Sequence, residues 1–96
     1  MLGKGYQVRT TDGIIGISGS PKAIYAIHFL SSGSAGTVDV HDGTDTTGTK
    51  VFSIVGVATQ TTSVDFGGMG IVLHAGCYLN IDASVSSVTI VYQELL

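Results

Sequence analysis

Residues 36–56 read GTVDVHDGTDTTGTKVFSIVG, and this stretch decides the fold. Val38 and Val40 alternate with Asp39 and His41, the period-2 pattern of a strand with one face buried. The segment Asp42-Gly43-Thr44-Asp45-Thr46-Thr47-Gly48 follows. Asp and Gly tolerate positive φ, and Asp and Thr side chains bond their own backbone, so this segment turns. Phe52 and Ile54 then alternate with Val51, Ser53 and Val55. Two strands around a polar, Gly-rich loop make a hairpin.

The chain on either side repeats the theme. Tyr6, Val8 and Thr10 alternate with Gln7 and Arg9, and Ile14, Ile15 and Ile17 form a short apolar run that ends at Ser18-Gly19-Ser20-Pro21. Lys22–Ser32 is a long strand with Ile24, Ala26, His28 and Leu30 on one face and Tyr25, Ile27 and Phe29 on the other. Both faces are apolar, so both are expected to be covered. After the hairpin, Thr62, Val64 and Phe66 alternate with polar neighbours, Met69–His74 is an apolar strand, and Cys77, Leu79 and Ile81 alternate with Tyr78, Asn80 and Asp82. In the last strand Val88, Ile90 and Tyr92 oppose Thr89, Val91 and Gln93. This spacing of about eight strands, with Gly, Ser or Asp between them, predicts an all-β antiparallel sandwich of the jelly-roll type. An immunoglobulin-like sandwich is the alternative, but it favours a core Trp and this chain has none.

The 96 residues make one domain, 1–96, with residues 1–5 available as an anchoring arm. Charged residues are 11% of the chain, against about 25% in a typical domain, while hydrophobic residues reach 44%. Such a shortage of charge fits a protein that buries surface against neighbours. No apolar run approaches the ~18 residues of a membrane span, so no membrane partner is expected. Lys4, Arg9, Lys22 and Lys50 are scattered in a chain of net charge −3, which argues against nucleic acid. Met1–Gly5 has no apolar stretch behind a basic start, so synthesis in the cytoplasm is expected.

Sites of chemistry are sparse. His28, His41 and His74 lack the spacing of a zinc site; His28 and His74 read as core or interface histidines and His41 as solvated. Asp39, Asp42 and Asp45 are the candidates for a cation, but D-V-H-D-G-T-D lacks the order of a calcium loop and reads as turn chemistry. Cys77 is the one cysteine and reads as a small buried hydrophobe. Glu94 is the one glutamate, so carboxylate pairs are few. No G-x-S-x-G elbow occurs, and no helix follows the glycine-rich segment Gly16–Ser20 to cradle a phosphate. The reading is therefore no enzyme, no catalytic residue, no metal and no cofactor. A sugar-binding role needs exposed rings, and most aromatic residues fit a core.

Residues 24–82 carry a resemblance. An apolar strand, a small-residue loop and a strand ending in Asp42-Gly43-Thr44 are followed by Thr46-Thr47-Gly48-Thr49, a strand, a polar strand ending in Phe66, and Gly70-Ile71-Val72-Leu73. This order resembles small jelly-roll proteins of tailed-bacteriophage virions. The resemblance implies a decoration or cement protein on the capsid surface, located in the virion. It implies a symmetric oligomer, often a trimer, bound to the major capsid protein. The alternative it leaves is a knob or fibre module that binds a host glycan or receptor; a third reading is an ordinary soluble β-domain. Expected contact residues are Met1, Leu2 and Tyr6 at one end, Leu95 and Leu96 at the other, and Tyr25, Ile27 and Phe29 on the long strand.

Overall fold

Nine strands and no helix form within residues 4–95, the part described by the computed structural model. They are β1 (Gly5–Arg9), β2 (Gly13–Ile14), β3 (Lys22–Ser31), β4 (Thr37–Asp42), β5 (Thr49–Val55), β6 (Thr61–Asp65), β7 (Ile71–Leu73), β8 (Tyr78–Ile81) and β9 (Val85–Glu94). One sheet runs β1-β9-β3-β6, with β7 also on β3; the other runs β2-β8-β4-β5. All pairs are antiparallel. The chain order explains the layout. The β4–β5 hairpin lies at the centre, and the pairs β3·β6, β2·β8 and β1·β9 wrap around it in turn. Successive pairs go to alternate sheets, which is a jelly roll with β7 as an extra edge segment.

The core is the space between the sheets. Val38, Val40 and Leu79 come from the four-stranded sheet, with Cys77 just before β8; Ile24, Ile27, Phe29, Val88 and Ile90 come from the five-stranded sheet. Phe52 and Phe66 close one side, with ring centroids 4.9 Å apart. Each fully buried aliphatic or aromatic side chain contributes about 1.5–3 kcal/mol by leaving water.

The long strand departs from the simple alternation. Ile24 faces Tyr92 and Ala26 faces Val91, so Tyr25 is an extra residue, a β-bulge. One added residue reverses which side chains point inward. Before the bulge Lys22 and Ile24 are buried; after it Ile27, Phe29 and Ser31 are. Ile24 therefore shares the inner face with Ile27 and Phe29, and the faces expected from strict alternation are corrected. At the same point β6 gives way to β7 along the edge of β3. Gly70 makes that switch, with φ of 71° and a Cβ position that would lie 2.7 Å from the Ile24 carbonyl oxygen.

Candidate functional site

Charge sits differently on the two sheets. On the four-stranded sheet the Asp39 carboxylate accepts a hydrogen bond from the Ser53 hydroxyl and lies 3.7 Å from the Lys50 ammonium, on the outer face. The five-stranded sheet has its ion pair inside. Lys22 is fully buried and Glu94 is 5% exposed, with Nζ and Oε1 3.5 Å apart. They are neighbours because β3 and β9 place Lys22 opposite Glu94. Both ions are held by the Gly16–Ser20 loop. Lys22 donates to the carbonyls of Ile17 (3.0 Å) and Ser20 (2.6 Å). Glu94 accepts from the Ile17 N–H (2.7 Å) and the Ser20 hydroxyl (2.6 Å). Burial pushes the Glu94 carboxyl up, but the Ser20 and Ile17 hydrogen bonds and the Lys22 charge outweigh it and hold it below its ordinary value. Gly16, at φ of 67°, leaves room for the carboxylate, since a Cβ there would meet Oε2. This cluster ties a loop to the sheet; its polar groups face one another.

The three aspartates of the hairpin do not converge. Asp42 accepts from the N–H groups of His74 (3.2 Å) and Ala75 (2.7 Å), and Asp45 accepts from the N–H (2.9 Å) and hydroxyl of Thr47. Those Thr47 hydrogen bonds lower the Asp45 carboxyl below its ordinary value. Among the described residues no three His, Cys, Asp or Glu side chains gather as a metal site. Cys77 is fully buried, and loss of hydration pushes its thiol up to about 12.

His41 departs from its expected setting, and His28 and His74 lie outside the core. His41 is buried rather than solvated: its Nδ1 lies 3.1 Å from the Gly48 carbonyl and its ring meets Tyr78 edge-on. His28 and His74 are exposed rather than in the core. The Tyr25 bulge turns His28 outward, where Nδ1 pairs with the Ser63 hydroxyl at 2.9 Å.

The expected contact residues divide. Met1, Leu2 and Leu96 lie outside the described residues. Tyr6 is 72% exposed and is the second residue of β1. Tyr25 is half-buried; its hydroxyl donates to Gln93 Oε1 (2.8 Å) and Lys4 Nζ stands 4.2 Å from its ring centroid. Leu95 is half-buried, with its N–H on the Pro21 carbonyl. Ile27 and Phe29 are core residues and cannot meet a partner, a direct result of the bulge. Sequence reasoning missed Val8, 52% exposed beside Tyr6. The alternation of Tyr6 and Val8 against Gln7 and Arg9 held that signal, because Gln7 turns in to bond Ile14 and Gly16.

The outer face of the five-stranded sheet is the candidate site. Val8, Thr89, His28 and Ser63 stand side by side across four strands. Tyr6, Val91, Ala26 and Asp65 form the next row. Asp65, at the edge, is the one charged residue in these rows.

No family model matches the chain, and no curated protein matches it. A solved chain from the work described as "Bacillus endospore appendages form a novel family of disulfide-linked pili" is similar at 17% identity and a TM-score of 0.48, covering 98% of this chain and 87% of that one. Likeness at this level carries no functional reading.

Proposed function

We propose that this chain is a structural subunit of a tailed-bacteriophage particle, acting as a symmetric oligomer that decorates or cements the capsid surface. The observation that carries the reading is the outer face of the five-stranded sheet, whose two rows carry charge only at Asp65, with Tyr6 and Val8 exposed on it. Apolar side chains left in water on a flat face suit burial against other subunits. The chain's 11% charged residues support the same reading, and so does its resemblance to virion jelly rolls. The mechanism is burial of apolar area across subunit boundaries, which raises the cost of separating capsomers. No catalysis is required. A receptor-binding knob calls for exposed aromatic rings in loops; the exposed ring among the described residues, Tyr6, belongs to strand β1 and stands on the sheet face.

The test adds the purified chain to phage capsids that lack it. Saturable binding at many copies per capsid, with a higher temperature of capsid disruption, is the expected result. Absence of binding, or binding at a few copies with unchanged capsid stability, overturns it.

A further inference from the structure

We infer that the outer face of the five-stranded sheet packs against the same face of a second copy of this chain. This rests on the reading of the chain as an oligomer-forming subunit and names its contact surface.

Charge placement selects the occupant. An isologous contact sets a patch against the same patch of its partner, so a patch that carries mostly one sign of charge repels its copy. The two rows of the five-stranded sheet avoid that repulsion, since Asp65, at the rim, is their one charged residue. The four-stranded side does not. Five of the seven carboxylates lie there: Asp39 and Asp42 on β4, Asp45 in the β4–β5 loop, Asp12 on the β8 backbone at Ile81, and Asp82 just after β8. In a chain of net charge −3, joining the five-stranded faces keeps those carboxylates apart, and joining the four-stranded faces crowds them.

Area permits it. The molecule measures 39 × 28 × 18 Å, and the short dimension fits two stacked sheets. The broad faces therefore span on the order of 1,000 Å² in projection, against the ~800 Å² per partner of a stable interface. Val8 enters the contact from the edge strand β1, and Leu30, 41% exposed, extends it along β3. Such a contact is isologous and closes at two copies. It replaces the trimer implied by the resemblance.

The test is the light-scattering mass of the full chain and three variants, each checked for folding by circular dichroism. The wild type is expected at about twice 9.8 kDa. Val8→Lys and Thr89→Lys each place an ammonium in the contact and are expected to halve that mass. Val55→Lys, on the outer face of the four-stranded sheet, is expected to leave it unchanged. A wild type of single-chain mass at every concentration overturns the inference, as does a mass three times that of the chain. Dissociation by Val55→Lys but not by Val8→Lys also overturns it. Capsid binding is scored separately. A dimer that ignores capsids overturns the proposed role while supporting this contact; a monomer that binds capsids through Val8 assigns the face to the capsid instead.

Discussion

The two sheets share one core but place charge in opposite ways. The four-stranded sheet keeps Asp39 and Lys50 on its outer face, beside the exposed Val51 and Val55. The five-stranded sheet holds Lys22 and Glu94 inside and presents Val, Thr, Ala and Tyr outside. An exposed pair is screened and adds little stability; a buried pair is held by hydrogen bonds that must all be made. The difference teaches where each sheet meets water. The outer face of the four-stranded sheet carries an ion pair, while the rows of the other outer face carry one charged residue, Asp65.

The largest expected effect comes from breaking the buried pair. Glu94→Ala leaves the Lys22 ammonium buried without its counter-charge and should cost about 3–5 kcal/mol. A denaturant titration reads this as a lower midpoint at unchanged slope. Replacing both residues, Lys22→Met with Glu94→Leu, should recover most of the loss.

Next in size is Gly70, which lets β7 join β3 beyond the bulge. Gly70→Ala sets a Cβ against the Ile24 carbonyl at positive φ and should cost about 1–3 kcal/mol. Amide exchange should rise first in β7 and in β3 from Lys22 to Ile24.

The same contrast has a pH signature. The folded Glu94 carboxyl lies below its ordinary 4.5. Its contribution is therefore complete above that value and is lost as the pH falls through the lower folded one. Between neutral pH and 5 stability should not change on its account; below 4.5 it should fall, and Glu94→Gln should flatten that acid slope. Thermal melts across pH 2–7 are the check.

The smallest effect belongs to the exposed pair. Asp39→Ala should change stability by no more than about 1 kcal/mol, and 1 M salt should reduce even that. A loss comparable to that of Glu94→Ala would erase the contrast between the sheets.

Much of the architecture was legible in the sequence. Val38, Val40, Phe52 and Ile54 alternate over a turn rich in Asp and Gly, and the structure has that hairpin, with β5 at the edge of its sheet. Cys77 and Leu79 are buried as their alternation implies. The bulge was not legible, since Tyr25 differs in no way from its neighbours until β9 pairs with β3 on either side of it. That one residue moved Ile27 and Phe29 into the core and His28 out of it. His41 was misread because the hairpin loop returns to it through the Gly48 carbonyl, a contact that alternation does not encode. The buried ion pair had a readable half. Val88, Ile90 and Tyr92 point inward, and the same period points Glu94 inward too, so a buried partner for it was implied.

The most direct measurement is hydrogen–deuterium exchange on the intact chain at low and high concentration. The account predicts that amides of β1 around Tyr6 and Val8 slow as the chain is concentrated, while those of β5 around Val51 and Val55 stay the same. Equal behaviour of the two edges, or protection confined to β5, would contradict it.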